Sequence, residues 1–377
     1  MHLLSSLPKV PRGFMRAYPV KQFGIENLQP NELPELQIIP DTVLIKVHAV
    51  SLNYRDLMVV KGLYNPRMAL PRIPCSDGAG EIVAVGEGVT RVKVGDRVCG
   101  IFMQRWLDGP LTAEKSKVAL GGDTDGMLAE YALLHNEGVV RFPEHLTYEE
   151  AATLPCAGVT AWNALHHAGD PTRPALPGET VLIQGTGGVS LFALQFAKLL
   201  GAKVVGTSSS DEKLARATTL GLTDGCNYKQ RSDWSKWATE ITRGEGVDRI
   251  IEVGGAGTFG QSLRAARVGG LVAQIGVLSG SSTTEPLALT PLLHKQLRVH
   301  GIYVGSRAMF EQMNAAIAAA ELHPVIDRVF EFNEAQQAFL HMQSASHFGK
   351  IVIRIKQAKA RTVFSETNAS PLLAARR

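Results

Sequence analysis

Cysteine is scarce in this chain of 377 residues, which has four cysteines in all. They stand at Cys75, Cys99, Cys156 and Cys226, far apart and without a CxxC pair. Such spacing supports neither a disulfide framework nor a clustered zinc site. We therefore expect free thiols in a reducing compartment, the cytoplasm.

Long hydrophobic runs and blocks of charge are also missing. No apolar stretch reaches the roughly 18 residues that a membrane-spanning helix needs, and the first residues have no basic region typical of a secretory signal. The net charge is only +4, and the 39 Lys and Arg residues are spread along the chain. We therefore expect neither a membrane nor a nucleic acid as a partner.

The sequence does contain enough apolar side chains for a large core. Hydrophobic residues make up 45% of the chain and charged residues 20%, and the length predicts two domains. The first part is rich in predicted β-strands. In VLIKVHAV (43–50) apolar residues alternate as in a half-buried strand, and glycine-punctuated strands follow at 80–89 and 94–101. The segment 102–126 is predicted to be a long polar loop.

After about residue 145 the pattern changes to strands that alternate with helices. VLIQ (181–184) leads through a glycine turn into a helix, and KVVGT (203–207) leads into a second helix. Near-continuous apolar strands of this kind predict a parallel sheet that is covered on both faces. The stretch 324–355 has the pattern strand, helix, strand, and we expect it to return to the first domain. The remaining predicted apolar strands are 247–253, 271–277 and 299–305.

The turn QGTGGVS carries the clearest binding motif. Gly185, Gly187 and Gly188 follow a strand and open a helix, and Val189 is the next residue. Glycines at such a turn let the backbone approach a pyrophosphate, and the helix N-terminus offers free N–H groups to it. The strand–turn–helix–strand context predicts a dinucleotide-binding site.

The end of the second strand indicates which dinucleotide is preferred. An NAD site usually has a carboxylate there, whereas this chain has Ser208 and Ser209 with no acid before Asp211. Serine hydroxyls can donate to a 2′-phosphate, and Lys213 can supply charge. Tyr228 follows the next turn and can close over the same site. We predict NADP(H), with NAD(H) as an alternative if the serines only cap the helix.

With these motifs the chain resembles the medium-chain dehydrogenase/reductase superfamily. The matching stretches are SLNYRDLMVVKGLY (51–64), PCSDGAGEIVAVGEGV (74–89), VGDRVCG (94–100), the Cys156 segment, QGTGGVS and HFGKIVIRI. The resemblance implies an α/β chain with a GroES-like β-rich catalytic domain and a Rossmann domain with a doubly wound parallel sheet. Members of this family are usually dimers or tetramers, and we expect a homodimer. We place an N-terminal arm at 1–13, the catalytic domain at 14–154 and 308–356, the Rossmann domain at 155–307 and a tail at 357–377.

The zinc ligands of that family are mostly absent. Zinc-dependent members take ligands from a cysteine, a histidine and a second cysteine. The matching positions here are Asn53, the serine of Cys75-Ser76-Asp77, and Cys156, while the loop 102–126 has none of the four cysteines of the structural zinc site. Arg55 replaces the hydroxyl that relays the alcohol proton. The resemblance therefore predicts no metal, with a rearranged site of Cys75, Asp77 and Cys156 as the alternative.

The pattern is closer to the zinc-independent quinone oxidoreductases and enone reductases of the family. The resemblance implies that Asn53 lies near the nicotinamide and that Tyr64 lines the substrate pocket as a candidate proton donor. Alternatively, Asn53 only caps the helix that follows it, and Tyr64 is only a packed aromatic residue in a turn.

We expect NADPH-dependent hydride transfer to a quinone, enone or similar activated carbonyl. The alternatives are an alcohol dehydrogenase with an atypical metal site and a non-catalytic NADPH-binding protein. The further cofactor-binding residues that the resemblance implies are Thr160, Val253, Ile275, Gly276, Val277, Ile302, Tyr303 and Val304.

Overall fold

The structure is a computed structural model that describes residues 13–168, 175–280, 282 and 289–356. The predicted arm lies outside the described residues except for Gly13, and the predicted tail lies outside them entirely. The described strands are β1 (Phe14–Ala17), β2 (Asn31–Pro34), β3 (Thr42–Leu52), β4 (Asp77–Val85), β5 (Arg97–Gly100), β6 (Tyr131–His135), β7 (Val139–Arg141), β8 (Thr180–Gln184), β9 (Lys203–Ser208), β10 (Asp224–Asn227), β11 (Val247–Glu252), β12 (Ala266–Gln274), β13 (Arg298–Gly301), β14 (Ile326–Glu331) and β15 (Lys350–Arg354).

The α-helices alternate with strands mainly in the second half of the chain. Three short 3-10 turns lie at Ile25–Asn27, Asn136–Gly138 and Phe332–Glu334, and a π-helical turn spans Leu154–Gly158. None of the helices in the described ranges is long and apolar enough to cross a bilayer. The described helices are α1 (Tyr54–Val60), α2 (Tyr148–Ala151), α3 (Val159–His166), α4 (Gly188–Leu199), α5 (Asp211–Thr219), α6 (Trp234–Ile241), α7 (Phe259–Ala265), α8 (Thr290–His294), α9 (Arg307–Ala319) and α10 (Ala335–Gln343).

A seven-stranded, mostly antiparallel sheet forms the β-rich unit. Its order is β14-β15-β3-β4-β5-β7, and β6 pairs with β3. The last two described strands, β14 and β15, thus return to the first sheet, as the sequence predicts. The long central strand β3 differs from the expected half-buried pattern, because Leu44 and Val50 on its second face are buried as well as Val43 and Ile45. The strands β15, β4 and β6 pair with its edges, and α2 and α10 pack against it.

The second sheet has six parallel strands in the order β10-β9-β8-β11-β12-β13. The order reverses direction between β8 and β11. Parallel strands leave their carboxyl ends at one edge, and the crevice at such a reversal is where open α/β sheets bind ligands. This sheet therefore fixes where a cofactor can lie.

The segment 102–126 has no regular helix or strand and exposes polar residues such as Asp108 and Thr112, as its composition suggests, but its two ends are buried. Phe102, Met103, Trp106 and Leu120 are all buried in it. The carbonyl of Trp106 also accepts the backbone N–H of Arg307, at the start of α9, at 2.9 Å. The two ends of the segment thus contribute to the core, whereas its middle faces solvent.

Short backbone contacts join the glycine turn of the parallel sheet to the antiparallel sheet. The N–H of Gly349, just before β15, donates to the carbonyl of Thr186 at 2.9 Å, and Gly187 and Gly349 form an isolated bridge. The candidate site lies where these two units meet.

Candidate active site

The glycine turn has the geometry of a phosphate cradle. Gly185 has φ +66°, a left-handed conformation that favours glycine, and a Cβ on Gly185 or Gly187 would meet no atom within 4 Å. Gly187 caps α4 without a side-chain hydrogen bond, so the first N–H groups of the helix remain available. Val189 lies in the first turn of α4. A dinucleotide pyrophosphate fits this turn.

The predicted 2′-phosphate residues gather around the end of β9, with a division of roles that the sequence does not show. Ser210 caps α5 through its hydroxyl, and buried Ser208 accepts the Ser210 N–H at 3.3 Å. The Nζ of Lys213 donates to the carbonyls of Ala345 and His347, at 3.1 and 3.0 Å. Lys213 therefore ties α5 to the segment before β15, in addition to any contact with a cofactor. Ser209 is half-buried between the other two serines, and Tyr228 donates its N–H to Ser208 and is 43% exposed.

The predicted nicotinamide-binding segments follow the carboxyl ends of β11, β12 and β13. Val304 has φ +58°, which a β-branched residue rarely adopts, and its carbonyl accepts the Asn163 amide at 2.7 Å. Such strain persists only where the surroundings enforce it, and it is common at functional sites. Thr160, one helical turn before Asn163 on α3, is buried. The structure thus brings to one edge Val253 after β11, Ile275, Gly276 and Val277 after β12, and Ile302, Tyr303 and Val304 after β13.

Asn53 lies at the other side of the crevice, at the start of α1. Its backbone N–H donates to Asp56 Oδ2 at 2.9 Å, so the helix start is held by the aspartate. Its side chain is turned to other partners: Oδ1 accepts Lys350 Nζ at 2.5 Å, and Nδ2 donates to Ser76 Oγ at 3.3 Å. The sequence left open whether Asn53 merely caps a helix. In the structure its amide belongs to a buried polar cluster.

Asp77 is the buried carboxylate of that cluster. It accepts the Ser76 hydroxyl at 2.7 Å and the Cys156 N–H at 3.1 Å, and Lys350 Nζ lies 3.9 Å from Oδ2. Burial raises the pKa of Asp77, and the Lys350 ammonium opposes that shift. Burial, and next the Asp77 carboxylate, raise the pKa of the Cys156 thiol, so Cys156 is a neutral thiol rather than a thiolate.

These side chains do not fit a catalytic zinc ion. Zinc takes thiolates, imidazoles and carboxylates, whereas the family's ligand positions here hold the Asn53 amide and the Ser76 hydroxyl, so Cys156 alone is a zinc-binding residue type. The Asn53 oxygen is already bound to the obligate donor Lys350. Within the described ranges no group of three or more His, Cys, Asp and Glu side chains could hold a metal, the alternative set with Cys75 included.

Tyr64 closes the crevice from the β-rich unit. Its hydroxyl lies 2.6 Å from that of Tyr303, which follows β13, so this pair joins the two units. The Arg55 guanidinium lies 5.0 Å from the centroid of the Tyr64 ring and 4.8 Å from that of Phe102. Burial, and next the hydrogen bond with Tyr64, raise the pKa of Tyr303. Arg55 also forms an ion pair with Asp56 at 3.8 Å.

Sequence reasoning missed two features of this site. Lys350 was not singled out, because a lysine that opens a strand gives no signal of burial; lysine is normally exposed. The side chain of Tyr303 was also missed, since only its backbone matched the family pattern. Lys350 stands in the quoted stretch HFGKIVIRI, where only a three-dimensional neighbour could reveal its role.

Comparisons with known proteins agree with this architecture. Residues 39–144 match the family described as the alcohol dehydrogenase GroES-like domain, and residues 188–319 match the zinc-binding dehydrogenase family. The chain is 44% identical over 335 residues to a zinc-type alcohol dehydrogenase-like protein of Schizosaccharomyces pombe, covering 88% of this chain and 96% of the relative. It is 28% identical over 336 residues to quinone oxidoreductase-like protein 2 of Bos taurus, covering 86% and 88%.

A solved structure shows the same fold. The crystal structure of an NAD-dependent alcohol dehydrogenase matches with a TM-score of 0.82 at 30% identity, covering 91% of this chain and 100% of that one. The predicted combination of a GroES-like domain and a Rossmann-type parallel sheet is therefore confirmed. The chain belongs to the medium-chain dehydrogenase/reductase family and is an NAD(P)-dependent oxidoreductase of the alcohol dehydrogenase-like and quinone oxidoreductase-like type.

Proposed function

We propose that this protein uses NADPH to reduce a quinone, an enone or a similar activated carbonyl compound without zinc. The observation that carries the proposal is the bond from the buried Lys350 ammonium to the Asn53 amide oxygen, at 2.5 Å. It stands where zinc-dependent relatives have a metal ligand, so a lysine–amide pair takes the place of metal coordination. Similarity to a quinone oxidoreductase-like protein supports the choice of acceptor.

The chemistry that bound NADPH supplies is a hydride, and the protein supplies orientation and electrostatics. As the acceptor is reduced, negative charge grows on its carbonyl oxygen, which then needs hydrogen-bond donors. We infer that the Asn53 amide nitrogen, which donates to Ser76 and also interacts with Asp77, turns one N–H to that oxygen when the acceptor binds. Tyr64 can donate the final proton, because Tyr303 can in turn donate to its oxygen across the 2.6 Å contact.

The preference for NADPH rests on the surroundings of β9. Ser208 and Ser209 supply hydroxyls, and α5 begins beside them with the Lys213 ammonium one turn along. Two carbonyls hold that ammonium in place, and a lysine has three protons to donate. A 2′-phosphate at the serines would find a fixed positive charge close by.

The experiment is NADPH and NADH oxidation by protein whose metal content has been measured by elemental analysis. A quinone, an enone and an aldehyde serve as acceptors. Zinc-free protein that turns over quinone or enone, with NADPH preferred, is the expected result. Stoichiometric zinc with aldehyde as the sole acceptor would identify the alternative alcohol dehydrogenase instead. Cofactor binding without turnover of any acceptor would favour a non-catalytic NADPH-binding protein.

We also infer a homodimer formed through the outer edge of the parallel sheet. Among the described strands, β13 (Arg298–Gly301) stands at the end of the sheet, and an edge strand is a template for pairing with a second copy. Apolar side chains beside it are exposed, among them Val299 at 42% and Leu293 at 74%. All four cysteines are free, which supports a reducing compartment such as the cytoplasm.

A further inference from the structure

Lys350 is an unusual residue in this fold. Its exposed fraction is only 3%, and no other lysine of the described residues is buried. Removing an ammonium from water is costly unless it is paired and hydrogen-bonded. Here Nζ donates to the carbonyl of Leu52 at 2.7 Å and to Asn53 Oδ1 at 2.5 Å, and it lies 3.9 Å from Asp77 Oδ2. The burial is therefore supported by a built set of partners.

Lys350 fixes the orientation of the Asn53 side-chain amide. An ammonium has only donors, so it must meet the oxygen of the amide and never its nitrogen. The nitrogen then donates to Ser76, whose hydroxyl donates to Asp77, and Asp77 lies beside Lys350. Each group in this ring therefore has its role as hydrogen-bond donor or acceptor fixed by its neighbour. The nitrogen of the Asn53 amide is consequently fixed as the donor end of the group, beside Ser76 and Asp77.

The same lysine also packs under the cofactor turn. A Cβ on Gly188 would lie 2.5 Å from Lys350 Cδ, so the lysine chain runs directly against the start of α4. The neighbouring Gly349 donates its N–H to the carbonyl of Thr186. The position of the Asn53 amide is thereby tied, through one side chain, to the turn that holds the dinucleotide.

We propose that Lys350 is a positioning residue that acts through Asn53. It orients the amide toward the reacting carbonyl and places a fixed positive charge one hydrogen bond behind the developing oxyanion, a role that a metal cation fills in zinc-dependent relatives. Preorganised charge of this kind costs no reorganisation during the reaction. The inference rests on the proposed function, since it concerns the carbonyl acceptor of that reaction.

The test is a double-mutant cycle on kcat with Lys350→Met and Asn53→Ala, alone and together. Each single variant should lower kcat about 100-fold, the size of losing one oxyanion donor. The double variant should be no more than about threefold worse than either single, because both act through one group. Lys356→Met, at an exposed lysine six residues on, is the matched control and should match wild type. If the two single losses multiply, so that kcat of the double variant falls about 10,000-fold, the proposal is overturned.

A second variant separates positioning from folding. Lys350→Met leaves the Asp77 carboxylate buried without its cation, so the protein could lose activity by unfolding. Adding Asp77→Asn makes the pocket neutral, and thermal unfolding should return toward that of wild type. The expected result is restored stability with kcat still about 100-fold low and the Kd for NADPH, from fluorescence titration, within about threefold of wild type. Recovery of kcat together with stability would show that Lys350 is only structural.

The choice of acceptor allows the proposed function and the proposed role of Lys350 to be tested independently. Turnover by the wild type tests the proposed function by itself. The cycle is then measured on whichever quinone, enone or aldehyde the wild type reduces, because every one of them develops negative charge on oxygen. Additive losses on an acceptor that the wild type reduces would refute the role of Lys350 and leave the proposed function standing.

Discussion

Two adjacent glycines in the cofactor turn are expected to respond differently to the same added methyl group. Gly187 has φ −79° and ψ −179°, an extended conformation that any residue adopts, and a Cβ there would meet nothing within 4 Å. At Gly188 a Cβ would lie 2.5 Å from Lys350 Cδ and 3.3 Å from the Cβ of Ala157. Gly187→Ala and Gly188→Ala are thus a matched pair that separates ligand access from internal packing.

The expected size of the Gly188→Ala effect follows from the lysine's tethers. Lys350 Cδ would have to move by about 1 Å to reach ordinary contact, yet its Nζ is held by Leu52 and Asn53. Overpacking a well-filled core costs about 2 kcal/mol of unfolding free energy, which lowers Tm by about 4–8 °C in a domain of this size. Gly187→Ala should cost about 1 kcal/mol or less, since it only replaces glycine at a helix N-cap.

For cofactor binding the order should be reversed: Gly187→Ala should weaken the binding of NADPH more than Gly188→Ala does. The methyl group of Gly187→Ala points into the open space where a pyrophosphate would approach the backbone, so the affinity for NADPH should fall at least about tenfold, or about 1.4 kcal/mol. The assays are thermal unfolding and fluorescence titration with NADPH on both variants. If Gly187→Ala binds NADPH with wild-type affinity, the assignment of this turn as the cofactor-binding site is refuted. Gly188→Ala with a wild-type Tm would refute the tight contact with Lys350.

Three further outcomes are expected. Tyr64→Phe should lower kcat for enone reduction by about 100-fold in steady-state assays while Tyr303→Phe lowers it less, because only Tyr64 is the proposed donor; equal kcat for Tyr64→Phe and wild type would contradict this. Burial raises the pKa of Asp56 to about 6 against the opposing Arg55, so the folded state holds that proton more tightly than the unfolded state, and the associated stability is present near pH 4 and lost as pH rises through about 6. The cost of Asp56→Asn in urea denaturation should therefore be about 3 kcal/mol smaller near pH 7.5 than near pH 4, and a cost independent of pH would be the contrary result. Leu293→Glu at the exposed edge should convert the dimer to a monomer in light scattering, whereas an unchanged mass would remove that edge from the interface.

Much of the fold could be predicted from local pattern. The alternation in 43–50, the apolar strands at 181–184 and 203–207, and the glycine turn between them all correspond to described strands and to the start of α4. These features depend on the period of side chains along the chain and on the conformational freedom of glycine, which neighbours in sequence already specify. The return of 324–355 to the first sheet was also predictable, because its strands resemble that unit in pattern.

The segment 102–126 shows where local pattern fails. Its polar and glycine-rich composition predicts a surface loop, yet Phe102, Trp106 and Leu120 are buried. A few apolar residues without periodicity give no signal in a sequence window. Their burial depends on residues distant in sequence: Phe102 and Trp106 join the core that includes α9, and Leu120 joins the core of the antiparallel sheet.

The sequence by itself determined the two-part architecture, the dinucleotide turn and the poor match to zinc ligands at Asn53 and Ser76. Only the tertiary structure decided what stands there instead. It buries Lys350 between Asn53, Asp77 and the start of α4, although 297 residues of chain separate Lys350 from Asn53. A lysine is exposed by default, and its burial depends on partners that distant strands bring together. Composition and spacing do not indicate such a contact between distant residues, so the role of Lys350 could be inferred only from the folded structure.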